Sequence, residues 1–138
     1  MNLLLGRWPL SLKETIEDDW YSIFDTIDTV PNGGELDGAY GVLAGLECVR
    51  ALIESDSFSP KRPIEVITFA DEEGRFLDLL GFRAMAGELS ITELEESTHN
   101  AGVRLDQVLS KQNLRLDTVL GSARKAEDIK AYVELHIE

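Results

Sequence analysis

Carboxylates dominate the side chains in this sequence that can do chemistry. Asp25, Asp28 and Asp37 flank the turn Pro31-Asn32-Gly33-Gly34, and Asp71, Glu72 and Glu73 stand in a row directly after an apolar run. Two histidines, His99 and His136, and one cysteine, Cys48, accompany them. Consecutive carboxylates repel, and solvent, proton uptake or a cation relieves the repulsion. Divalent cations take carboxylate oxygens and imidazole nitrogens as ligands. A two-metal hydrolytic centre needs a bridging carboxylate, a terminal ligand for each ion and a free acid to take a proton from water. Asp37 is of the right type to bridge, Glu73 and His136 to be terminal ligands, and Glu72 to take the proton. By residue type alone two plainer readings stay open. Acids after a strand form a solvated loop, and Asp37 serves only as a helix N-cap.

The elements that must position these groups follow from periodicity. Residues near Trp20–Ile27 read as a strand. "PNGG" is a turn, because proline presets one dihedral while asparagine and glycine accept positive φ. After Asp37, Val42, Leu46, Val49 and Ile53 recur at helical spacing, joined by Leu43 and Leu52. Gly38, Gly41 and Gly45 fall on one side of that helix. Glycine weakens helices, so this side is expected to lie close to a neighbouring strand or a site. "IEVITFA" (64–70) is β-branched and nearly all apolar, and reads as a strand buried on both faces. Short helices are predicted over 79–89, from Ser90 with Glu93 as a capping box, over 104–112, and as a further turn near 114–121. "AYVELHIE" alternates, with Val133, Leu135 and Ile137 on one face and Tyr132, Glu134, His136 and Glu138 on the other. The pattern is α/β, with a largely parallel or mixed sheet flanked by helices. Such sheets collect ligands at the carboxyl ends of their strands, and both acidic clusters fall at such ends.

Composition narrows the function. A length of 138 residues suggests one domain, and 43% hydrophobic residues suffice for a core. The formal net charge of -13 opposes nucleic-acid binding and attachment to an anionic membrane surface, since neither phosphates nor lipid headgroups would be neutralised. A single cysteine forbids an internal disulfide and fits a reducing cytoplasm. Cys48 is expected to be a buried, inert thiol in a helix, and His99 a surface histidine. "MNLLLGRWPL" lacks the basic start of a signal peptide, and no run is long enough to span a bilayer.

Three segments together resemble one family. "IDTVPNGGELDGAYGVLAGLE", "ITFADEEGRF…LLGFRAMAGEL" and "YVELHIE" are similar, in order and approximate spacing, to the hydantoinase/carbamoylase-type amidases. That family comprises N-carbamoyl-L-amino-acid hydrolases, allantoate amidohydrolases and β-ureidopropionases, within the binuclear-metal aminoacylase and carboxypeptidase group. The resemblance implies a zinc-peptidase-like catalytic domain, two divalent ions (Zn, Mn, Ni or Co), and hydrolysis of linear amide, carbamoyl or ureido C–N bonds. It implies that Asp37 bridges the metals, Glu73 and His136 are terminal ligands and Glu72 is the general base. Asp28 then orients a ligand histidine, and Asp71 is structural.

The departures from that family are specific. Where it reads Gly-Ser-His-Leu-Asp-Thr-Val, this sequence reads "FDTIDTV", so Thr26 stands at a metal-binding histidine position. The loop after "DEEG" is a residue or two shorter. The sequence stops at Glu138, where the family continues with Gln-Gly. Residues 1–138 are therefore expected to form part of a catalytic domain, without the lid through which the family dimerises. Each metal would retain two of three protein ligands. This implies reduced or no metal binding and an isolated chain inactive by itself. The alternative is a non-catalytic remnant or assembly module of the same descent.

Overall fold

The computed structural model describes residues 20–26, 39–57, 59 and 61–136, with backbone alone for 20–26. The elements are β1 (Trp20–Thr26), α1 (Ala39–Ile53), β2 (Ile64–Phe69), α2 (Leu80–Ala86), α3 (Ile91–Glu96), α4 (Leu105–Lys111), α5 (Leu116–Leu120), a 3₁₀ turn (Ala126–Asp128) and β3 (Ile129–Glu134). Every predicted helix and strand among the described residues is present. The Pro31–Gly34 turn and the Asp37 cap lie outside them. The chain forms two compact units. One is Phe69–Lys125; the other comprises the described residues up to Thr68 together with those from Ala126 on.

The sheet has the order β2-β1-β3. β1 and β3 are parallel, with Ser22 opposite Tyr132, Ile23 opposite Val133 and Phe24 opposite Glu134, after a shift between Trp20 and Tyr21. Parallel neighbours require a long crossover, and over a hundred residues separate these two strands in sequence.

α1 packs against β1. Its buried positions are Gly41, Val42 and Gly45, so glycines do bring this helix close to its neighbour. Of the apolar residues at helical spacing, Val42 is buried, whereas Leu43, Leu46 and Ile53 are exposed. Cys48 is exposed as well, which corrects the buried thiol expected from its apolar neighbours. At 100° per residue it falls at the margin of the arc defined by Gly41, Val42 and Gly45. Arg50 pairs with Glu47 and Glu54 one helical turn away on either side. Both pairs are exposed and contribute little.

β2 is not buried throughout. Ile67 and Phe69 are buried, and the rest of the strand is half-buried. From Phe69 onward the chain enters the helical unit. Its core is Leu80, Ala84, Leu89, Leu94, Leu105, Leu109 and Val119, with Phe76, Leu77, Leu114, Leu116 and Leu120 packed on it. Leu94 and Leu105 are fully enclosed. α2 starts hard against the end of β2. A Cβ on Gly81 would lie 2.9 Å from the backbone N and O of Ala70, so no larger residue fits there without movement. α2 ends at Gly87, whose φ of 72° lets it and Glu88 donate to the carbonyls of Ala84 and Arg83. The sequence places an N-cap at Ser90, and α3 carries the full capping box there.

Candidate functional site

The acidic triplet after β2 is held by its own first member. Asp71 is buried at 3% exposure, and its backbone turns left-handed with φ 59°. That conformation ends the strand, and aspartate tolerates it better than most residues. The Asp71 carboxylate accepts three successive backbone N–H groups: Arg75 at Oδ1 (2.7 Å), Phe76 at Oδ2 (2.9 Å) and Leu77 at Oδ2 (3.1 Å). Charge-assisted bonds of this kind are the stronger ones. The loop is also laced at its base. Leu79 N–H donates to the Glu72 carbonyl (3.1 Å), Leu80 N–H to that of Asp71 (3.2 Å) and Gly81 N–H to that of Ala70 (3.1 Å). Glu73 forms an antiparallel bridge with Asp78. Glu72 and Glu73 therefore stand on a segment fixed from both sides. Both are half-buried, and Oε2 of Glu72 is withdrawn from solvent.

Gly74 makes the reversal possible. Its φ is 69°, and an added Cβ would meet the Asp78 backbone at 3.3 Å. Beyond it, Phe76 and Leu77 press into the helical core. His99, expected at the surface, is half-buried with its ring 5.8 Å from that of Phe76. Its Nδ1 accepts the Ala101 N–H at 3.1 Å, so it shapes a turn.

His136 lies in the other unit, two residues beyond the end of β3, and is exposed. Period-two alternation puts it on the side of Tyr132 and Glu134. There the Tyr132 hydroxyl donates to Glu134 Oε2 at 2.6 Å. A carboxylate oxygen of Glu134 lies within 4.8 Å of a ring nitrogen of His136. Glu134 was not among the residues expected to do chemistry. The alternation that put it beside His136 was the available signal. Thr26 ends β1. Two residues before it, Phe24 lies opposite Glu134, the last residue of β3. Asp28 and Asp37 lie outside the described residues. The structure thus fixes Glu72 and Glu73 together on one loop, and His136 and Glu134 together on one strand end.

The helical unit carries one further charged network. Arg83 donates to Glu93 Oε1 at 2.8 Å, and Glu93 Oε2 accepts from the Ser90 N–H (3.0 Å) and hydroxyl (2.9 Å). The guanidinium first, then the Ser90 backbone and hydroxyl, hold the Glu93 carboxyl down to about 2. These bonds account for Arg83 and Glu93 structurally.

The sequence profile of peptidase family M20/M25/M40 matches residues 14–138. An N-carbamoyl-L-amino acid amidohydrolase of Geobacillus stearothermophilus is 45% identical over 114 residues, covering 81% of this chain and 27% of that protein. An allantoate amidohydrolase of Bacillus subtilis (strain 168) is 38% identical over 114 residues, with the same coverages of 81% and 27%. Among solved structures, an amidase of the hydantoinase/carbamoylase family from Burkholderia phymatum superposes with a TM-score of 0.74 at 33% identity. That match covers 89% of this chain and 30% of the other. The chain spans about a quarter of the length of the curated relatives it matches.

Proposed function

The chain belongs to peptidase family M20/M25/M40, and on that premise we propose that it carries part of the site of a metal-dependent amidohydrolase. The bonds cleaved are linear C–N bonds of amide, carbamoyl or ureido groups, as the names of its relatives suggest. One observation carries the reading: two adjacent glutamates, Glu72 and Glu73, stand on a loop braced on both sides at the end of β2. A loop that was merely solvated would not need such bracing.

The donor set fits divalent ions of the zinc and manganese kind, because it consists of carboxylate oxygens and an imidazole. By the resemblance, Asp37, Glu73 and His136 would hold the ions and Asp28 would orient a ligand. When bound, such ions supply Lewis acidity, polarising the scissile carbonyl and making water a stronger acid. Glu72 takes the proton of the attacking water at its carboxylate and delivers it to the departing nitrogen. Metal titration into chelator-treated protein tests the reading. Mn²⁺ or Zn²⁺ is expected to bind weakly and detectably, and the absence of any binding in the millimolar range would refute it.

Thr26 favours a second reading, a non-catalytic remnant of the same descent. Its hydroxyl is a poor substitute for imidazole at the position where the resembled family has a histidine. On that reading Glu72→Gln changes stability and nothing else. A loss of metal-dependent hydrolysis on Glu72→Gln, measured with the chain joined to the remainder of a carbamoylase relative, rejects it.

A further inference from the structure

We propose that Asp71 is a positioning residue that sets where Glu72 and Glu73 present their carboxylates. The inference rests on the metal-site reading above and adds a role for a side chain that touches neither metal nor substrate.

Three features carry it. The first is the backbone: Asp71 is one of three non-glycine residues among those described with positive φ, and it immediately precedes the glutamate pair. A non-glycine residue in that region is retained where the surroundings over-determine it. The second is satisfaction of the carboxylate. It is buried, and it closes a ring from its own Cα to the N–H groups of Arg75, Phe76 and Leu77. Glu72 and Glu73 lie inside that ring. The third is anchorage. The far side of the ring is fixed to the helical core through Phe76 and Leu77, and the near side to the start of α2 by the Gly81 N–H donating to the Ala70 carbonyl. Without the carboxylate the three N–H groups lose their acceptor, and the segment between the two anchors is free to reorient. A charge that served only overall stability would not need to close this particular loop.

Cobalt serves as the probe, because its visible absorption reports ligand geometry as well as affinity. The 138-residue chain is titrated with Co²⁺ alongside Asp71→Asn, Asp71→Gly and Ser90→Ala. Asparagine and glycine both accept the left-handed backbone. Asparagine keeps one acceptor oxygen and glycine keeps none, so the two variants separate the side chain from the backbone. Ser90→Ala weakens the same unit at a distant helix cap. We expect affinity to fall about 10–100-fold in Asp71→Gly, as for loss of groups that orient ligands, and by less in Asp71→Asn. The absorption bands should shift in both, with Ser90→Ala unchanged. Amide exchange should quicken at residues 75–77 while α3 to α5 stay protected. Equal cobalt affinity and spectra across all four proteins would overturn the inference and leave the metal-site reading standing. Loss of binding accompanied by lost protection throughout α3 to α5 would also overturn it, by reducing Asp71 to a fold determinant. Failure of the unsubstituted chain to bind cobalt would instead overturn the metal-site reading, and this inference with it.

Discussion

On the proposed metal-site reading, Thr26 is the residue on which metal binding turns. It ends β1, two residues beyond Phe24, which lies opposite Glu134 at the end of β3. A histidine there would add a neutral nitrogen donor on the strand neighbouring an existing imidazole, the pairing that zinc and manganese accept readily. Thr26→His is therefore expected to tighten divalent-metal binding by about 10-fold or more, the scale on which even outer groups matter at such sites. Competition against a chromophoric chelator measures it. Unchanged affinity in Thr26→His, with His136→Ala equally without effect, would remove β1 and β3 from the metal site. The sequence exposed this residue well, because the motif around it differs at that position. It exposed Cys48 poorly. An apolar neighbourhood in sequence is not an apolar neighbourhood on a helix, where a rotation of a few tens of degrees separates the packed arc from solvent.

At the scale of elements, the capping box of α3 was legible to the residue, since Ser90 and Glu93 satisfy each other across one turn and need no tertiary partner. Ser90→Ala should cost about 1 kcal/mol of stability through the lost cap. Glu93 makes that contribution depend on pH. Its folded carboxyl titrates at about 2 against an ordinary 4.5. Its share of stability is therefore present above about 4.5 and is lost as the pH falls towards 2. Thermal midpoints of the native chain and Glu93→Gln should differ at neutral pH and converge near the acid end of that window. The gap should shrink in high salt, because the pair with Arg83 is partly exposed. Parallel curves at every pH would show that the carboxylate charge is immaterial. Periodicity found α1 and its glycine side: Gly41, Val42 and Gly45 are the buried positions, while Leu46 and Ile53, at the same helical spacing as Val42, are exposed. Hydrophobicity scales rank glycine low, yet two glycines let a helix approach a strand more closely than leucines can. Likewise, the acids after β2 were visible as a cluster, but the Asp71 carboxylate bonds that order them depend on backbone dihedrals the sequence does not spell out.

Across the whole molecule, the informative quantity is the share of its relatives that the chain represents. It matches about 27% of an N-carbamoyl-L-amino acid amidohydrolase. Several apolar side chains are exposed: Val133 at 59% on β3, Leu135 at 46% just beyond it, and Leu43 at 58% on α1. Burying apolar surface of this kind stabilises by roughly 25 cal/mol per Å², so a matching polypeptide has something to bind. Among the described residues no helix is long and apolar enough to cross a membrane. We therefore predict that fusing this chain to the remaining three quarters of a carbamoylase relative yields metal-dependent release of an amino acid from its N-carbamoyl derivative. Neither part should do so alone. In that hybrid, Glu72→Gln should lower the rate about 10²–10⁴-fold, the contribution expected of a general base, while leaving metal content unchanged. Glu73→Gln should instead lower metal content, because the role proposed for this carboxylate is to hold an ion. The two measurements, turnover and bound metal per chain, separate the neighbouring glutamates. A hybrid in which Glu72→Gln turns over as fast as the parent would show that the proton is taken elsewhere.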